Sequence, residues 1–144
     1  MKEVLGIVGT IIVAAIAGTS FQTVVNNLSM SSARSAENKV EERFRLATEE
    51  IRPTLPKKVD DITTWMGVSY SGTSLTYEFR LDMKAAELPQ NALTLVRQNT
   101  VKQLCKTSSV VNNMKEGGVY IYRYQTADAK SLGTFEVRSK DCGE

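Results

Sequence analysis

The stretch GVYIYRYQTADAKSLGTFEV, residues 118–137, has a period of two. Tyr120, Tyr122 and Tyr124 alternate with Val119, Ile121, Arg123 and Gln125, so the tyrosines share one face of an extended strand. Ala127-Asp128-Ala129-Lys130 supplies turn chemistry and Leu132 to Val137 returns, which makes a hairpin. A face of three tyrosines has two readings. It lines a recognition surface, because tyrosine gives wide contact at low entropy cost, or it supplies the bulk that a helix lying on a sheet requires.

Upstream, the pattern changes period. In MKAAELPQNALTLVRQNTVKQLCKTS, Leu93, Val96, Thr100, Val101, Leu104 and Cys105 form one apolar side over four turns, and Pro89 suits the entry to the helix. A short helical turn from Ser109 to Glu116 follows, with Val110, Val111 and Met114 turned inward and Gly117-Gly118 ending it. Before these lies a second period-two region. Ile62, Thr64, Met66 and Val68 alternate against Thr63, Trp65, Gly67 and Ser69, Tyr70-Ser71-Gly72-Thr73 turns, and Leu75, Tyr77, Phe79 and Leu81 return. That phase sets Trp65 opposite Met66, as a half-exposed contact anchor or a cover for the sheet edge. Trp65, Tyr120, Tyr122 and Tyr124 are therefore the candidate protein-contact residues. Earlier still, Ala33, Ala36, Val40, Phe44, Ala47 and Ile51 line one side of an amphipathic helix from Ser32 to Arg52, which Pro53 and Pro56 stop.

The expected order is helix, two strands, helix, short helix, two strands. An α+β class follows, with a four-stranded antiparallel sheet covered by helices on one face. A split pairing in which the two hairpins exchange neighbours is the alternative.

The first 33 residues carry charge only at Lys2 and Glu3, and Val4 to Phe21, VLGIVGTIIVAAIAGTSF, is apolar or small on every side. At 1.5 Å of rise per residue this is enough uncharged chain to cross a hydrocarbon layer of about 30 Å. The reading is a transmembrane anchor in the lipid bilayer over residues 1–25 and a periplasmic domain over 26–144. Ala15-Ile16-Ala17 has the small-x-small form of a signal-peptidase site, so removal after Ala17 is the alternative.

The chain has two cysteines, Cys105 and Cys142, which in an exported domain read as one disulfide. Closing about 36 residues between them stabilises by roughly 3 to 4 kcal/mol on loop-entropy grounds. A domain that needs oxidation belongs outside the cytoplasm, which puts the amino terminus inside and the domain in the periplasm.

Eighteen basic and sixteen acidic residues are interspersed, so no basic tract points to nucleic acid. The chain contains no histidine, which removes the commonest general base and zinc ligand. It has no Cys-x-x-Cys pair and no phosphate loop. Asp60-Asp61 and Glu49-Glu50 are adjacent carboxylates, and neighbours in sequence point apart. The expectation is a non-enzymatic protein without cofactor or metal that works by contact.

The series from Cys105 through Gly118-Val119-Tyr120-Ile121-Tyr122-Arg123-Tyr124 and Gly133-Thr134-Phe135-Glu136-Val137 to Asp141-Cys142 resembles the small exported α/β domains of the quorum-sensing-regulated virulence factors of Gram-negative bacteria. With an N-terminal membrane helix, the chain is similar to the superinfection-exclusion proteins of lambdoid prophages. The resemblance covers residues 36–142. It implies a protein of the host bacterial inner membrane that blocks entry of incoming phage DNA, with a phage tail or tape-measure protein and a host inner-membrane protein as partners. It supplies no catalytic residues. The alternatives are a secreted or periplasmic virulence-associated adaptor and a structural envelope component.

Overall fold

The computed structural model describes residues 36–143. The expected anchor over 1–25 and the segment that follows it lie outside the described residues. Among the described residues, no helix is long and apolar enough to cross a membrane.

The chain begins with α1, Ala36–Ile51, whose Val40, Phe44 and Ala47 are buried at helical spacing. A 3-10 turn at Arg52–Thr54 carries Pro53, which ends the helix. The strands β1 (Lys57–Lys58), β2 (Thr63–Ser71) and β3 (Ser74–Leu81) follow, then α2 (Ala92–Leu104), α3 (Ser108–Lys115), β4 (Val119–Gln125) and β5 (Ser131–Val137). A last 3-10 turn, Ser139–Cys142, closes the domain.

The five strands form one sheet in sequence order. The β1–β2, β2–β3 and β4–β5 pairs are antiparallel, whereas β3 and β4 run parallel. This corrects the expected four-stranded antiparallel sheet in two respects. The fifth strand is the two-residue β1, too short to show a period. The two hairpins join in parallel because α2 and α3 lie between them, and a parallel neighbour requires a long crossover of this kind. The α+β class and the helical cover stand as expected.

Register puts the apolar side chains in rows across the sheet. Val68 meets Tyr77, which meets Tyr122, which meets Phe135. Beside it, Trp65 meets Phe79 and Phe79 meets Tyr124, while Leu75, Tyr120 and Val137 form a third row. All of these are buried, and with Val40, Phe44, Val96, Leu104, Val110 and Met114 of the helices they make one core. On the other face Ser69, Glu78, Arg123, Thr134 and Glu136 are wholly or partly exposed, with Ile121 half-buried among them.

The phase of β2 differs from the expected one. A bulge between Trp65 and Gly67 adds one residue to β2, so Thr63, Trp65 and Val68 all face the core. A strict alternation through Met66 would have turned Trp65 outward.

The α3–β4 junction depends on two glycines. Gly117 has φ +104°, its N–H bonds to Met114 O at 3.1 Å, and the Gly118 N–H bonds to Asn113 O at 2.8 Å, the pattern of a Schellman cap. A Cβ at Gly118 would fall 2.8 Å from the Asn113 carbonyl oxygen and 3.3 Å from Phe44 Cζ. Because the closer atom is backbone, Gly118→Ala is expected to destabilise the domain by about 1–3 kcal/mol, read as a lower denaturant midpoint at unchanged slope.

Candidate contact surface

The aromatic residues singled out for contact lie inside. Trp65 is 2 % exposed, Tyr120 and Tyr122 0 %, and Tyr124 2 %. Their rings pack on one another and on neighbours: Trp65 with Phe79 at 5.9 Å and Tyr77 at 5.4 Å, Tyr122 with Phe135 at 5.2 Å, Tyr124 with Phe79 at 5.3 Å, Tyr120 edge-on to Phe44 at 5.4 Å. The contact reading of Trp65, Tyr120, Tyr122 and Tyr124 is corrected to a packing role, because the face they share is the one the helices cover.

Polar tips inside this core are tied down unevenly. The Tyr120 hydroxyl accepts from Asn113 Nδ2 at 3.1 Å, and Asn113 Oδ1 accepts from Arg43 at 3.0 Å. Arg43 also reaches Glu116 at 2.7 Å. One chain of hydrogen bonds thus links α1, α3 and β4, and Arg43, a residue only 8 % exposed, is paired with a carboxylate. By contrast, no described side chain bonds the hydroxyls of Tyr77, Tyr122 and Tyr124. Burial holds all four of these phenols above the ordinary tyrosine value, so none offers a phenolate at neutral pH.

The two cysteines pair, as two in an exported domain are expected to. Cys105, at the end of α2, and Cys142, in the last 3-10 turn, form a disulfide with Cα atoms 5.4 Å apart and a sequence separation of 37. Arg97 of α2 adds an ion pair to Asp141 at 3.1 Å, so the chain after β5 is tied to α2 twice.

The adjacent carboxylates are engaged separately. Asp60 Oδ1 accepts from the Ile62 N–H at 2.8 Å, and Glu49 pairs with Arg45 on the outside of α1. Among the described residues no three His, Cys, Asp or Glu side chains group as metal ligands. Ordinary surface is what remains: the open sheet face and the outer strand β5. Between them lies a shallow depression lined by Glu78, Arg123, Gln125, Ala129, Ser131 and Thr134. Glu78 and Arg123 stand 4.0 Å apart across it, so it carries both signs of charge. Nothing in the sequence marked this region, because its residues are the ordinary polar side of two strands.

No family model and no curated protein matches the chain. Three solved structures do. A protein assigned as secreted from Pseudomonas aeruginosa has a TM-score of 0.64 at 13 % identity, over 77 % of this chain and 99 % of that one. The pilotin EpsS of the Vibrio vulnificus type 2 secretion system has 0.63 at 16 %, over 74 % and 94 %. The type II pilotin AspS of Vibrio cholerae has 0.59 at 13 %, over 74 % and 95 %. This chain shares their fold. At 13–16 % identity these likenesses carry the fold alone, that of a secreted protein and two pilotins.

Two measurements check the core. Tyr120→Phe leaves Asn113 without its acceptor and is expected to cost about 1–3 kcal/mol, whereas Tyr122→Phe removes a hydroxyl with no described partner and is expected to stay within about 1 kcal/mol of the parent. Alkaline stability follows from the raised tyrosines. Below the unfolded tyrosine value near 10 both states hold the phenolic protons; above it the unfolded chain binds fewer, so stability falls as pH rises. Denaturant midpoints should be lost from pH 10 upward, with the buried tyrosines ionising together at unfolding in ultraviolet titration.

Proposed function

We propose that the chain is a non-enzymatic exported adaptor that works by protein contact in the bacterial envelope, of the kind to which type II secretion pilotins belong. The observation that carries this reading is the fold. Nearly the whole of three small proteins, one secreted and two pilotins, superposes on residues of this chain. The Cys105–Cys142 bridge agrees with an oxidising compartment, where a domain of this size gains most from a covalent staple.

The reading extends to the segment before residue 36. An uncharged run from Val4 to Phe21 holds the domain at the membrane if retained and frees it if cut after Ala17. In either form the partner is an envelope protein, and the domain acts as a piece that positions it.

Expressing the full chain in a host that lacks it, and following envelope-complex assembly and phage DNA entry side by side, tests the proposal. The expected outcome is in-cell crosslinking of the chain to an envelope protein and normal DNA entry from adsorbed phage. A block of DNA entry at verified expression would overturn it in favour of superinfection exclusion.

A further inference from the structure

The sheet has two edges, and they are finished differently. On the β2 side, β1 pairs Lys57 with Trp65 and Lys58 with Thr64, immediately after Pro56. Beyond β1 the bulge after Trp65 twists the strand, and two backbone carbonyls of this stretch accept from side chains. Trp65 Nε1 donates to Gly67 O at 3.1 Å and Arg52 Nη2 to Val68 O at 3.4 Å. Lysines, a proline and a bulge are devices by which an edge is kept from pairing with another chain.

The β5 side has few of them. Seven residues, SLGTFEV, are bonded to β4 on one side, and among the described residues no hydrogen bond reaches the other. The strand contains no proline and no lysine. Its one charge, Glu136, is partnered by Arg138 at 2.7 Å. Irregularity lies at its start, where the register shifts beside Tyr124 and Gln125 and Gly133 takes φ +141°, and Thr134 to Val137 pairs with β4 in unbroken register.

We propose that this edge pairs antiparallel with β5 of a second copy, joining two five-stranded sheets into one. The second copy is the occupant because each molecule offers one edge strand without lysine or proline, β5, and one edge that begins with Pro56-Lys57-Lys58. Two open edges related by a two-fold satisfy each other and leave no edge for a third molecule. Register supports it too. Core faces stay in line only when the paired residue numbers sum to an even value. Centring on Thr134 sets Thr134 against its own copy, Leu132 against the second copy's Glu136, and Gly133 against the second copy's Phe135. No like charges meet within the strand, threonine pairs with threonine, and a glycine gains an aromatic neighbour across the seam. The half-buried Leu93, which lies over Gly133, and Leu132 are then covered. This pairing goes beyond the adaptor reading and holds whichever envelope protein the adaptor serves.

The test uses the full chain in cells. With Thr134→Cys, the two-fold brings two thiols across the seam at the roughly 4.5–5.5 Å Cα spacing of an antiparallel pair, which a disulfide spans. Copper-phenanthroline oxidation should give a covalent homodimer on non-reducing gels, while Glu78→Cys, exposed on the open face two strands in, should stay monomeric. Separately, Thr134→Lys places like charges on the axis and should weaken association of the detergent-extracted chain about fivefold, with Thr76→Lys as the control that leaves it unchanged. Retention of the Cys105–Cys142 bridge in each variant reports an intact fold. Crosslinking of Thr134→Cys no faster than Glu78→Cys, an adduct of any mass other than the homodimer, or a dimer untouched by Thr134→Lys would each overturn the proposal. None of these outcomes bears on phage entry or on envelope-complex assembly, so the adaptor reading stands or falls separately.

Discussion

The parallel contact between β3 and β4 is the constraint on which the domain depends. It sets Leu75, Tyr77 and Phe79 directly against Tyr120, Tyr122 and Tyr124, making a sheet face of six large side chains at its centre. So much apolar area must be covered, at about 25 cal/mol for each Å² removed from water. The crossover that a parallel pair demands supplies part of the cover, because α2 and α3 are the crossover. Helix α1 supplies the rest through Phe44 on Tyr120, and the Arg43–Asn113–Tyr120 chain fixes how α1 sits against α3.

The staple answers a weakness in the same design. With one layer of helices over one sheet, the last strand is held by β4 and by whatever lies on its core face. Gly133 makes room for Leu93 to lie close, and Phe135 and Val137 turn inward. Chain beyond Val137 has no strand to join. The disulfide to α2 and the Arg97–Asp141 pair secure it, and loop entropy makes a 37-residue closure worth about 3–4 kcal/mol, a large share of what a domain of this size holds.

What could be read from the residues follows from how local each signal is. The tyrosine alternation of β4, the inward set Leu75, Tyr77, Phe79 and Leu81, and the helix faces of Val40–Phe44–Ala47 and Val96–Thr100–Leu104 depend on near neighbours in sequence, and all lie where their periods put them. The one-residue bulge after Trp65 has no period of its own, and it reversed the side on which Trp65 falls. The β3–β4 pairing joins segments 45 residues apart, as Ser74 with Val119, and hydrophobic alternation is the same for a parallel as for an antiparallel neighbour. The strand β1, two lysines long, lies below the length at which alternation means anything.

The contact surface was the least legible part for a further physical reason. Aromatic side chains attract attention as contact residues because they bury the most area, and for the same reason a small sheet uses them first for its own core. An available strand edge is made of backbone, which every sequence has, so no residue type announces it. It becomes visible only by contrast, because the other edge begins with Pro56-Lys57-Lys58 and β5 has neither residue type. A protein that binds through such an edge needs little from its exposed side chains beyond the absence of lysine and proline, which is how SLGTFEV passes for an unremarked closing strand.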